Sequence, residues 1–282
     1  MFGFFRRQSR DAESAAHNAR PPRVCEVGWL VDTPSAGFIY SAPRQLSRRA
    51  IEEQEAHPDY PQHPKGVNIC PAVIDSESRT FEVPCPIDVQ LGLRRNDKGE
   101  LNLVDLSGSK STVNKKQLSN MVHLIGHLRW RSPDRPIVQI SAPYRFIADE
   151  PVWMSQQPSY GFYRREPLPG LMLGGRFPIH IWPRSLMWAF EWHDISKPLI
   201  LRRSEPWFYV RFEATDPARP LRMVEAEMTP ELRAYCSGLD GVTNYVNQTY
   251  QLFSVAQERR PAKLLTKKPK ATAAQRDSLA AS

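Results

Sequence analysis

His180, Glu191 and His193, followed in the chain by Tyr209 and Arg211, are the residues whose types and spacing could do chemistry here. Two imidazoles and a carboxylate can hold a divalent metal while leaving coordination positions open. A tyrosine and an arginine nearby could orient a carboxylate or phosphate ligand, and Trp182 joins them as an aromatic binding residue. The sequence therefore assigns His180, Glu191 and His193 to a divalent metal, and Trp182, Tyr209 and Arg211 to a small-molecule ligand. The plainer reading of the same residues is a solvated sheet face, with Glu191 and Arg211 as an ordinary cross-strand ion pair.

The elements that must position them are short strands between 175 and 213. In the segment RSLMWAFEWHD, Leu186, Trp188, Phe190 and Trp192 alternate with Met187, Ala189, Glu191 and His193. A period of two places the first four on one face of a sheet and the last four on the other. By the same alternation Phe177, Ile179 and Ile181 face inward while His180 and Trp182 face out. Phe208, Val210 and Phe212 then face inward, and Trp207, Tyr209 and Arg211 face out. On this logic the chemical residues share one face of neighbouring strands. A row of two tryptophans, a phenylalanine and a leucine needs a second apolar layer, which predicts a β-sandwich or barrel.

Charge narrows the function classes. The 282 residues carry a net +8, but residues 258–282 account for +5 and residues 1–20 for +2, leaving the body at +1. A near-neutral body disfavours a dedicated nucleic-acid binder; the basic tail would make only weak, nonspecific, salt-sensitive contact with nucleic acid. No apolar run approaches the roughly 18 residues that span a bilayer, so no membrane contact is expected. The start, MFGFFRR, places its apolar residues before its arginines, the wrong order for a secretory signal, which makes a cytoplasmic location the expectation. Cys25, Cys70, Cys85 and Cys236 match no zinc or CxxC spacing and read as buried thiols. There is no P-loop, GxGxxG or GxSxG, which argues against the familiar nucleotide-dependent enzymes and serine hydrolases.

Along the chain, residues 24–40 read as short strands around a turn at Pro34, and 44–56 as a short charged helix ended by His57 and Pro58. The segments ICPAVIDS and TFEV read as strands, as do PIDVQLGLRR and LNLVDL around the NDKG turn. Residues 107–120 read as a polar excursion, and VHLIGHLRW as a strand. The glycine- and proline-rich stretch 158–176 reads as a long loop, a type often tied to function. Thr229-Pro230-Glu231 is a helix start, and Val242, Tyr245, Val246, Thr249, Leu252, Phe253 and Ala256 form a helical stripe.

Two passages carry a resemblance. Cys70-Pro71-Ala72 with Phe81, Pro84 and Pro86-Ile87-Asp88 is one, and Gly175-Arg176-Phe177 leading to Glu205-Pro206-Trp207-Phe208-Tyr209 and Arg211-Phe212 is the other. Together they resemble a set of uncharacterised proteins from tailed phages and proteobacteria. The resemblance implies a cupin-like or jelly-roll β-sandwich and a phage-related origin, and no catalytic residues. The HxH signature of metal-binding cupins is missing, since Ile181 and Trp182 follow His180.

The expected architecture is mainly β: a jelly-roll/cupin-like β-sandwich over 24–215 with a short N-terminal helix. It is flanked by a disordered segment at 1–23, a C-terminal helical appendix at 216–258 and a basic disordered tail at 259–282. The expected function is small-ligand binding on a sheet face, with a divalent metal as cofactor. The alternative is a non-enzymatic phage accessory protein that meets a protein partner through residues 242–258 and the tail.

Overall fold

The computed structural model describes residues 23–32, 38–57, 67–108, 111, 113–243 and 248–269. The expectations for residues 1–22, the turn at Pro34, the loop after His57, Tyr245 and Val246, and the tail beyond 269 fall outside them.

The molecule is mainly β, with three sheets and five helices among the described residues. The strands are β1 (Cys25–Val31), β2 (Arg44–Gln45), β3 (Thr80–Pro84), β4 (Val89–Arg95), β5 (Leu101–Asp105), β6 (Val122–Leu124) and β7 (Ile137–Ile147). They continue with β8 (Val152–Pro158), β9 (Gly170–Leu173), β10 (Gly175–Pro178), β11 (Ser185–Trp192), β12 (Leu199–Leu201), β13 (Pro206–Ala214) and β14 (Leu221–Glu225). The helices are α1 (Leu46–Glu55), α2 (Pro71–Ser78), α3 (Lys115–Met121), α4 (Pro230–Thr243) and α5 (Thr249–Arg259).

The first sheet runs β14-β1-β7-β11-β9, with β6 also on β7; the second runs β10-β8-β13-β3-β2; the third is β12-β4-β5. The four consecutive strands β10 to β13 are thus dealt to three different sheets. The row Leu186, Trp188, Phe190 and Trp192 is buried as the alternation requires. The layer that covers it comes from the second sheet. Trp188 meets Trp207 at 5.9 Å between ring centroids, and Phe146 of β7 meets Phe212 of β13 at 5.4 Å.

Trp207 itself departs from the expected alternation. Pro206 stands opposite Pro84 but Phe208 opposite Val83, so one extra residue of β13 fits against β3. This bulge resets the parity and turns both Trp207 and Phe208 into the core.

Other segments also differ from their sequence reading: the stretch 158–176, expected as a long loop, contains β9 and the first residues of β10. The segment 69–76, expected as a strand, instead runs into α2 (Pro71–Ser78), because Pro71 at the first helical position presets the backbone and has no N–H to waste. The polar stretch before residue 121 contains α3, started by a capping box: the Asn114 side chain accepts from the Gln117 N–H while the Gln117 side chain accepts from the Asn114 N–H, both at 2.9 Å. VHLIGHLRW keeps only β6 as strand and then turns through a 3-10 segment at His127–Arg129.

The C-terminal region is woven into the fold rather than appended. β14 pairs in parallel with β1. Helices α4 and α5 build a second core in which Leu232, Leu239 and Ala256 pack with Leu30, Ile147 and Leu265. The helical stripe therefore packs on its own chain, with Phe253 against Trp153 and Trp182. Residues 260–269, expected as the start of a disordered tail, form a docked arm. The Asp149 carboxylate accepts from the Leu264 and Leu265 N–H groups at 2.7 and 3.0 Å, and Lys267 and Lys268 pair with Glu26 and Glu225. Gly28 permits the crossing: a Cβ there would collide with Leu265 and lie 2.8 Å from Ile147.

Of the cysteines, Cys25, Cys85 and Cys236 are buried free thiols as expected, and Cys70 is exposed just before α2. Burial pushes the Cys25 and Cys85 thiols up to about 12, which keeps both protonated and inert.

Candidate functional site

Glu191 sits on the side of β11 opposite the tryptophan row, beside Leu171 of β9 and Ile137 of β7. It is 3% exposed, an unusual position for a carboxylate. One oxygen, Oε1, lies 2.8 Å from His193 Nε2. The other, Oε2, makes no hydrogen bond among the described residues; the Arg131 Nε, on an exposed side chain, is 3.6 Å away.

The backbone around this pair is tightly determined. The N–H groups of His193 and Asp194 both donate to the Pro169 carbonyl at 2.9 Å, closing the end of β11 onto the start of β9. Gly170 makes that closure possible, since a Cβ at this position would run into the Glu191 carbonyl oxygen. The buried Trp192 indole donates to the carbonyls of Asp194 and Lys197 at 3.0 and 3.2 Å, which pins the turn after the strand. The Asp194 carboxylate accepts from the Ser196 hydroxyl at 2.6 Å and pairs with Lys197 at 3.0 Å. Those two partners, Ser196 first, hold its carboxyl below the usual range.

His193 lines a cleft of about 780 Å³ between this turn, the 165–169 segment and β12. The walls are apolar: Pro167, Leu168, Leu171, Pro198 and Ile200. Around the rim Asp194 is paired with Lys197, and Glu166 lies 3.6 Å from Arg202. Arg165 lines the same cleft with no ion-pair partner among the described residues. The uncompensated charge offered to a ligand is therefore positive.

Chemically, a carboxylate that engages one ring nitrogen of an imidazole holds the ring in place and sets its tautomer. With Nε2–H donated to Glu191, Nδ1 is the nitrogen that accepts a proton. This is the geometry of a group that takes up and returns protons, provided a partner reaches Nδ1.

The other sequence-predicted residues lie elsewhere. His180 is in the turn after β10, where its Nδ1 is 3.2 Å from the Val152 N–H and its carbonyl accepts from Arg260 at 2.6 Å. Burial first, and the Arg260 charge after it, push its pKa down from 6.5. Trp182 packs among Phe177, Phe253 and the Arg184 guanidinium, as part of the contact between β10 and α5. Tyr209 and Arg211 lie on the second sheet, where Arg211 donates to the Ser76 hydroxyl of α2 at 3.0 Å.

The expected constellation on one face is therefore corrected. β11 and β13 are in different sheets and β10 does not adjoin β11, so His180 is not brought to Glu191 and His193. Among the described residues no group of three or more His, Cys, Asp or Glu side chains is placed to hold a metal ion. What survives is the Glu191–His193 pair, two residues apart on one strand face. Sequence reasoning missed Arg131, Arg165, Asp194 and Lys197 as its neighbours. Only the stretch 158–176, flagged by its composition and expected as a loop, pointed toward the cleft.

The chain matches no known protein family, no curated protein and no solved structure. No helix among the described residues is long and apolar enough to cross a membrane.

Proposed function

We propose that the protein binds a small organic anion with an apolar body in the cleft beside β9 and β11, and exchanges a proton with it through His193. Arg165 meets the anionic group, the proline and leucine walls take the apolar body, and Glu191 holds the imidazole. The observation that carries this reading is the buried Glu191 carboxylate, bonded through one oxygen to a histidine at the mouth of a cleft. Burying a carboxylate costs several kcal/mol, and a site that keeps one without full pairing is a candidate for function. The two facing antiparallel layers make a jelly-roll-like sandwich the architecture we assign to this binding protein, with the parallel β14–β1 pair as an addition to it.

Benzoate, with benzamide as the uncharged isostere, tests the reading by NMR on the full chain. Benzoate is expected to shift the His193 ring resonances saturably, benzamide at least fivefold more weakly, and Arg165→Gln to remove the difference. Glu191→Gln is expected to release the ring into mixed tautomers while costing under about 1 kcal/mol in urea unfolding. If that variant instead costs the roughly 3–5 kcal/mol of a broken buried ion pair, or if benzoate leaves the ring unmoved, the pair is structural and the proposal falls.

A further inference from the structure

Tyr209 presents a second, independent anomaly, on a different sheet from the cleft. Its side chain is fully buried, and its O–H has no acceptor among the described residues; the Gly161 backbone N–H, which can only donate, lies against the phenol oxygen. Burial pushes the phenol up to about 12, and the adjacent Arg49 and the Gly161 backbone counter that only in part. The group is thus a hydroxyl donor at every physiological pH. Tyr209 is one of the residues lining a cavity of about 380 Å³ beneath α1 and α2, next to Gly161, where a Cβ would stand 3.2 Å from the phenol oxygen.

The charged groups around this cavity are mostly accounted for. Glu82, opposite Tyr209 on β3 and 3% exposed, is held by Arg44 at 2.7 Å and by Arg49 at 3.2 Å. Arg49 also pairs with Glu53 at 2.8 Å, and Arg44 with Glu52 at 3.3 Å. Arg211 is turned to Ser76 and lies 3.9 Å from Glu213. Glu77 of α2 lines the cavity, half-buried, with no ion-pair partner among the described residues. Two groups are left over, one carboxylate and one hydroxyl donor. Beside them are two tyrosine rings, Tyr160 edge-on to Tyr209 at 5.1 Å, and the aliphatic side chains of Leu46 and Val73.

The complement of that set is a small cation that also carries a hydrogen-bond acceptor. An ammonium group satisfies Glu77 and is attracted to the negative faces of the tyrosine rings. An ether, hydroxyl or carbonyl oxygen a few bonds away satisfies the Tyr209 O–H, whose desolvation is otherwise uncompensated. We propose that the cavity under α1 and α2 is a second ligand site, specific for a small ammonium compound whose acceptor oxygen is bound by Tyr209 and whose charge is bound by Glu77.

Three small probes test this on the full chain by NMR titration: 2-methoxyethylamine with both features, propylamine with the charge alone, and 1,2-dimethoxyethane with the acceptor alone. The first is expected to shift the Tyr160 and Gly161 amides saturably, propylamine to bind at least threefold more weakly, and dimethoxyethane not to bind. Tyr209→Phe should lower 2-methoxyethylamine to the affinity of propylamine and leave propylamine unchanged. Glu77→Gln should weaken both amines at least fivefold. Without ligand, Tyr209→Phe should keep or raise the Tm, because the O–H it deletes has no acceptor among the described residues. A lowered Tm would show that the hydroxyl is already satisfied. That result, equal binding of the uncharged probe, or absence of any saturable shift would each overturn the proposal.

Discussion

At the scale of single residues, Glu191 and Tyr209 are costly in a similar way: among the described residues the Glu191 Oε2 finds no donor and the Tyr209 O–H no acceptor. Their surroundings are nevertheless held firmly, which separates them from accidental defects. Gly170 is the clearest example, since the closure of β11 onto β9 leaves no room for a Cβ next to the Glu191 carbonyl. Gly170→Ala is expected to destabilise the protein by about 1–3 kcal/mol, the range for forcing an extra methyl into a packed site. The same variant should disturb the His193 ring signals, because the backbone that carries Glu191 must move. Chemical denaturation combined with His193 NMR checks this; an unaltered midpoint would mean that β9 yields without strain.

At the scale of elements, the arm at 260–269 is the segment whose attachment depends on charge. Glu26 is held below its ordinary range, by Lys267 first and then, against the opposing effect of burial, by Arg222. His180, whose carbonyl anchors Arg260, has its pKa lowered by burial. The sign is the same for both. A pKa lower in the folded than in the unfolded chain contributes stability that is complete above the unfolded value and lost as pH falls through the folded value. Loosening is therefore expected to begin below about pH 6.5, the ordinary histidine value, as His180 takes up its proton. It should deepen below 4.5, the value from which the Glu26 pKa is lowered, as Glu26 follows. Hydrogen exchange at the Leu264 and Leu265 amides reads this directly. His180→Asn should flatten the first part of the profile and spare the second. If the variant and the parent profiles superimpose, His180 is not the group that titrates.

At the scale of the whole molecule, the first and second sheets are joined through aromatic contacts, above all Trp188 on Trp207. Both rings are almost wholly buried, and neither indole N–H finds a partner among the described residues, so their contribution is packing rather than hydrogen bonding. Trp188→Ala should cost about 3–5 kcal/mol, as large-to-small changes in a dense core do. Trp207→Ala should cost a similar amount. Because the rings touch, the double variant should cost less than the sum, and a double-mutant cycle by urea unfolding measures the coupling. Additive losses would mean that the two sheets are held together elsewhere.

The alternation in residues 186–192 sufficed to place one sheet face in the core, and charge with composition sufficed for a mainly β body and the charged helix α1. These are local properties: side-chain period and helix-forming pattern act within a few residues. Trp207 escaped because a bulge is a relation between two strands, and parity along one strand cannot reveal it. The Glu191–His193 pair was legible for the opposite reason, its members being two apart on the same strand face. His180, Tyr209 and Arg211 were placed beside that pair on the assumption that consecutive strands are neighbours. Strand order is set instead by which apolar faces bury each other between segments distant in sequence, and β10, β11, β12 and β13 go to three sheets although only short connections join them. Tertiary structure alone therefore decided where these residues lie: the Glu191–His193 pair on the first sheet, Tyr209 and Arg211 on the second.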